Sequence, residues 1–130
     1  MGEVLMYLID TNILIYYFNK DIPEGSRSKV VKILKENFNI SVVTKMEFLG
    51  FKQHTEGSFR KAKKLIEYAE VAELEEEIVD AVIALKRNKN IKLPDAIIAA
   101  TAMLNQWTLV TRNEKDFTNI DIKIYNPFLS

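Results

Sequence analysis

The stretch Val4-Leu5-Met6-Tyr7-Leu8-Ile9-Asp10-Thr11-Asn12 is apolar without a break from Val4 to Ile9 and then turns abruptly polar. A strand with one wet face alternates, whereas a short continuous apolar run bounded by polar residues is the pattern of a strand buried on both faces, as in a parallel sheet covered by helices. Asp10-Thr11-Asn12 offers side chains that cap a helix start, so this first strand is expected to pass straight into a short helix from Ile13 to Phe18.

The same arrangement recurs along the chain. After a turn at Asp21-Ile-Pro-Glu-Gly, the residues Val30, Val31, Ile33 and Leu34 repeat at helical spacing. Phe38 to Val43 reads as a second strand, followed by Thr44-Lys-Met-Glu47, whose spacing is that of a capping box opening a helix through Phe51. Lys52 to Gly57 is polar and loop-like; Phe59, Ala62, Leu65 and Ile66 mark the inward face of another helix, with a brief strand expected over Ala69 to Ala72. Leu74, Ile78, Ala81, Val82 and Leu85 form a further stripe that fades into the polar Lys86-Arg-Asn-Lys-Asn90. Leu93-Pro94-Asp95 then starts a helix with Pro near its first position, and Ala96 to Leu104 is small and apolar almost all round, so that helix is expected to be buried and to hold Asp95 firmly. Trp107 to Val110 reads as a strand leading into Thr111-Arg-Asn-Glu-Lys-Asp116-Phe117, and Ile122 to Tyr125 as the last strand. Strands alternating with helices define an α/β class with a parallel sheet covered on both faces.

The 130 residues, 48% hydrophobic with four Gly and three Pro, suit one globular domain spanning 1–130. Eighteen basic and 18 acidic residues cancel, so there is no overall pull toward nucleic acid and any such binding must be local. The lack of Cys excludes disulfides, thiolate metal sites and cysteine nucleophiles, and a single His leaves no imidazole cluster for zinc. Any metal must therefore be held by oxygen. The apolar opening from Val4 to Phe18 is not read as a signal or membrane segment, because Asp10 and Asn12 interrupt it and it lacks a basic start; the expectation is a cytoplasmic protein that does not engage a membrane.

Four acids stand out. Each has a plain structural explanation: Asp10 as an N-cap, Glu47 as the capping-box partner of Thr44, Asp95 as a first-turn acid favoured by the helix dipole, and Asp116 as a solvated loop residue. Their joint placement argues for more. Asp10, Glu47 and Asp116 all follow expected strands, and in an open parallel sheet ligands bind beyond the carboxyl ends of the strands where the strand order reverses. With the first strand central, all four carboxylates can reach one crevice. Crowded carboxylates repel one another unless cations join them, and an oxygen donor set points to Mg²⁺ or Mn²⁺, as one or two ions, a setting suited to phosphodiester hydrolysis.

On four segments the chain resembles the PIN-domain family and, within it, the VapC-type toxins of toxin–antitoxin pairs. They are Leu8-Ile9-Asp10-Thr11-Asn12, Ser41-Val-Val-Thr-Lys-Met-Glu47, Leu93-Pro-Asp95-Ala-Ile-Ile-Ala-Ala-Thr101-Ala, and Thr111-Arg-Asn113-Glu-Lys-Asp116-Phe117. Each is weak alone; their order and spacing together are specific. The resemblance implies a Rossmann-like three-layer α/β/α fold with a sheet of about five parallel strands in the order 3-2-1-4-5. It implies an endoribonuclease that cuts single-stranded RNA by metal-activated water and leaves a 5′-phosphate, with a small antitoxin as partner. Asp10 and Asp95 would be the principal metal ligands, with Glu47 and Asp116 completing the catalytic set. Asn12, Thr111 and Asn113 would support them by hydrogen bonding. Some family members carry an acid where this chain has Asn113, so here the fourth acidic role falls to Asp116.

Other features weigh less. The basic groups Arg60-Lys-Ala-Lys-Lys64 and Lys86-Arg-Asn-Lys89 with Lys92 read as solvated helix faces rather than phosphate guides, while Lys45 and Lys52 flank Glu47 and are better placed to contact RNA. His54 is expected to be an exposed loop residue without chemistry. Tyr16, Tyr17 and Phe18 could stack bases or form a homodimer surface but fit the core, as does Trp107. Two other functions compete with the nuclease: a PIN fold that has lost catalysis and serves as a binding module, and a phosphorylation-switched receiver-like domain. The first should show missing acids, and all four are present. The second calls for a Lys after a late strand, where Leu109-Val-Thr111-Arg112 has none.

Overall fold

A computed structural model describes residues 5–129, so the expected start of the first strand at Val4 lies outside the described residues. Among these residues the chain forms β1 (Tyr7–Ile9), α1 (Thr11–Phe18), α2 (Glu24–Glu36), β2 (Asn39–Ser41), α3 (Val42–Leu49), α4 (Glu56–Ile66), β3 (Glu70–Ala72), α5 (Glu76–Asn88), α6 (Leu93–Asn105), β4 (Thr108–Val110), a 3₁₀ turn (Glu114–Phe117) and β5 (Ile124–Tyr125). All strand pairs are parallel, in the order β3-β2-β1-β4-β5. The α/β class and the strand order expected from the resemblance are both observed. No described helix is long and apolar enough to cross a membrane.

The unalternating run of β1 is explained by its place at the centre of the sheet. Leu8 packs with Leu109 and the α5 and α6 side chains on one face; Ile9 packs with Val110 and residues of α1 to α4 on the other. Helices thus cover both faces, giving three layers. Along helix α6, Ala96, Ala99, Ala100 and Ala102 are fully buried, and such small residues let its backbone lie near the sheet.

The strands are shorter than their apolar runs suggested. The second strand was expected to reach Val43 and the Thr44–Glu47 pair to cap the next helix; instead α3 begins at Val42, and Ser41 caps it by accepting a hydrogen bond from the Val43 N–H at 3.1 Å. Thr44 is wholly buried inside the helix, its hydroxyl 3.0 Å from that of Thr11. The capping-box reading of Glu47 therefore fails, because a serine three residues earlier already satisfies the helix start.

His54 also departs from expectation. It is half-buried, with Nε2 2.9 Å from the Phe48 carbonyl oxygen and Nδ1 3.1 Å from Ser58 Oγ. Phe18, Phe48, Phe51 and Phe59 present ring edges around it, so it is a packing residue joining α1, α3 and α4. Tyr16, Tyr17 and Phe18 pack on the α1–α4 side of the sheet and Trp107 on the α5–α6 side, as core residues.

Candidate active site

Asp10 follows β1 directly and caps α1, as its place in the sequence suggested. Its backbone N–H continues the β1–β4 ladder to the Val110 carbonyl at 2.9 Å, which brings Thr111 beside it. The carboxylate accepts three hydrogen bonds: from the Thr11 N–H on Oδ1 at 2.8 Å, and from Asn12 Nδ2 and Thr111 Oγ1 on Oδ2 at 2.7 and 2.8 Å. Asn12 Nδ2 also donates to Thr111 Oγ1 at 3.1 Å, and that oxygen accepts in addition from the Asn113 N–H at 3.0 Å. Asn113 thus joins the site through its backbone, while its side chain is exposed.

The other three acids arrive on separate elements. Glu47, on the second turn of α3, accepts from Thr11 Oγ1 at 2.7 Å. Thr11 therefore links two acids, Asp10 through its amide and Glu47 through its hydroxyl. Asp95 sits in the first turn of α6, half-buried, with Pro94 ahead of it and the buried alanine face behind. Asp116 lies exposed on the 3₁₀ turn, which the buried Phe117 anchors. Lys45 and Lys52 are exposed on and just beyond α3.

Electrostatics ties the four together. Burial pushes the Asp10 carboxyl up to about 6; the hydrogen bonds from Thr111 and Thr11 oppose this, and the nearby charges of Asp95 and Glu47 add to it. Asp95 is also raised, first by burial, then by Asp116 and Glu47, with Lys92 alone pulling it down. Asp95 and Glu47 thus act on Asp10, and Asp116 and Glu47 on Asp95. A cation is the natural complement to such a set. Carboxylates and hydroxyls are donors suited to a hard divalent ion, so the residues present fit one chemically. Among the described residues no three acidic or imidazole side chains stand close enough together to hold a metal ion as they are placed. A cleft of about 720 Å³ lies at the other ends of the strands, against Met6, Trp107 and Ile122, and includes none of the four acids.

Sequence reading missed the hydroxyl framework. Thr11 and Thr44 each had a local explanation as cap residues, and only the packing of α1 on α3 shows that they meet. The signal available was the pair of threonines, one after each strand–helix junction.

An open parallel sheet binds ligands beyond the carboxyl ends of its strands, where these acids lie, and comparison with known proteins narrows the class. Residues 7–123 match the model of the PIN domain, and the chain belongs to this family. It is 30% identical over 128 residues to ribonuclease VapC1 of Methanocaldococcus jannaschii, covering 92% of this chain and 86% of that protein. Among solved structures it resembles one chain of a toxin–antitoxin complex from Klebsiella pneumoniae, with 32% identity, a TM-score of 0.76, and 93% of this chain and 97% of that one covered. A DNA-bound VapBC structure from Salmonella typhimurium shares the fold, with 23% identity, a TM-score of 0.79, and 95% and 99% coverage.

Proposed function

We propose that this chain, as one PIN domain over 1–130, is a metal-dependent endoribonuclease that hydrolyses phosphodiester bonds of single-stranded RNA and is the toxin of a toxin–antitoxin pair. The observation that carries this reading is the influence of Asp95 and Glu47 on Asp10, and of Asp116 and Glu47 on Asp95, at the carboxyl edge of the sheet. The ribonuclease relative and the toxin–antitoxin complex similar to this chain support the same conclusion.

Asp10 and Asp95 would hold Mg²⁺ or Mn²⁺, with Glu47 and Asp116 completing the set. When bound, the metal acidifies a water and neutralises charge on the reacting phosphate. The chain's own contribution is positional. Asn12 and Thr111 fix the orientation of Asp10, Thr11 fixes Glu47, and the packed first turn of α6 fixes Asp95. Lys45 and Lys52 would meet the RNA backbone beside Glu47. The protein would act in the cytoplasm, as a homodimer or held by a small antitoxin over the acidic crevice.

The test is cleavage of a single-stranded RNA by purified protein beside Asp95→Asn, with and without EDTA. Cutting that leaves 5′-phosphates, needs Mg²⁺ or Mn²⁺ and is lost in the variant is the expected result. Equal activity in the two proteins, or activity that survives EDTA, would overturn the mechanism.

A further inference from the structure

Four acids at the site and a net charge of zero leave a polyanionic substrate in need of local cations. The conspicuous basic runs are largely engaged elsewhere. Arg60 pairs with Glu56 at 4.0 Å, Lys63 lies over the Phe59 ring, and Lys86 and Lys89 donate to the Ile91 and Asn119 carbonyls. Arg112 differs. Its Cζ lies 4.9 Å from the centroid of the Tyr16 ring and 4.5 Å from that of Phe128, and those two rings meet edge to face at 5.5 Å. Phe128 is itself held by its N–H donating to Asn126 Oδ1 at 3.0 Å, next to the buried Pro127. Among the described residues the guanidinium has no carboxylate within ion-pairing distance. Glu114, two residues on, is instead tied to Asn126 Nδ2 at 3.1 Å.

The Arg112 backbone fixes where this cation stands. Its N–H donates to Asn12 Oδ1 at 3.2 Å, and the preceding Thr111 donates to Asp10. Tyr16 follows Asn12 by four residues on α1, so the rings under the guanidinium begin about one helical turn, roughly 5.4 Å, along the helix from the Asp10 cluster. Contact with the two rings restrains the exposed guanidinium, whose five N–H groups remain able to donate. We infer that Arg112 binds a backbone phosphate of the RNA next to the one being cut, as an immobilised cation at the rim of the acid site.

This inference rests on the ribonuclease reading, and the experiment separates the two. Binding of a labelled single-stranded RNA oligonucleotide is measured in EDTA across a salt series for wild type, Arg112→Gln and Phe128→Leu, alongside metal-dependent cleavage. Arg112→Gln should bind about tenfold more weakly at low salt and lower the slope of log affinity against log salt by about 0.7, the share of one phosphate contact on a single strand. Phe128→Leu keeps the charge and should weaken binding less, with the slope unchanged. A purely structural clamp would not move the salt slope. In wild type, an RNA with one uncharged methylphosphonate linkage beside the cut should lose a similar factor, a readout that needs no variant to fold.

Cleavage by wild type with Arg112→Gln unchanged in KM, affinity and slope would overturn the Arg112 assignment and leave the nuclease reading intact. Arg112-dependent RNA binding without cleavage would do the reverse. Failure of wild type to bind RNA, no effect of the methylphosphonate at any linkage, or Arg112-dependent capture of an oligoglutamate peptide but not of RNA would each overturn it.

Discussion

Asp10 shows how opposed influences on one carboxylate are resolved. Three hydrogen bonds favour its charged form, yet burial outweighs them and Asp95 and Glu47 add to the same side. Thr11 joins Asp10 to Glu47, and Thr11→Val keeps the amide bond to Asp10 while deleting the hydroxyl that holds Glu47. Because the oxygen of the buried Thr44 then loses its partner, the variant should be destabilised by about 1–2 kcal/mol, and its RNA cleavage should fall on the order of tenfold. Urea titration and single-turnover assays check the two effects, and unchanged cleavage would refute the bridging role. At this scale Asp10, Glu47 and Asp116 were legible as acids that follow strands in a parallel fold, and Asp95 as the first-turn acid of a buried helix. The hydroxyls of Thr11 and Thr44 were not, unlike that of Thr111, since a threonine near a strand–helix junction is equally a helix cap, and only the tertiary meeting of α1 with α3 distinguishes the two.

Helix α3 carries the corresponding lesson for elements. Ser41 and Thr44 are both good N-cap residues, three apart, and a helix can begin at either. Hydrogen bonding decides: both side chains are fully buried, but the Thr44 hydroxyl is committed to Thr11 while Ser41 accepts from the Val43 N–H, so the earlier serine caps. Ser41→Ala should therefore cost about 1 kcal/mol in thermal or chemical unfolding. Were Thr44 the cap, that change would be nearly silent. The long apolar stretches identified which segments were strands and the all-round small residues identified α6 as buried, because burial on every side erases alternation. Their ends could not be read the same way: a three-residue strand and the helix that follows it draw on the same apolar residues. The 3₁₀ turn bearing Asp116 leaves no periodic trace at all in four residues.

For the molecule as a whole, the buried carboxylate couples stability to pH and to metal. Asp10 takes up its proton more readily folded, near 6, than unfolded, near 3.8, so the contribution it makes to stability is complete below the lower value and lost as pH rises through about 6. That displacement is worth roughly 3 kcal/mol. EDTA-treated protein should thus be less stable at pH 7.5 than at pH 4.5, and this difference should shrink in Asp10→Asn. Mg²⁺ or Mn²⁺ should raise the melting midpoint at pH 7.5 and have little effect at pH 4.5, where Asp10 is protonated. Identical pH profiles for the two proteins, or metal stabilisation equal at both pH values, would contradict this account. The sheet order has one further consequence. Since β1 lies between β2 and β4, Asp10 meets Thr111 across 101 residues of chain. A ribosome must therefore release most of the polypeptide before that partnership can form, and the nascent N-terminal portion, though it already carries Asp10 and Glu47, has neither Asp95 nor Asp116 beside them. On the function proposed above, the acidic set would stay incomplete until the segment carrying Asp116 has emerged, and a chain cut short ahead of β4 would lack both Thr111 and Asp116.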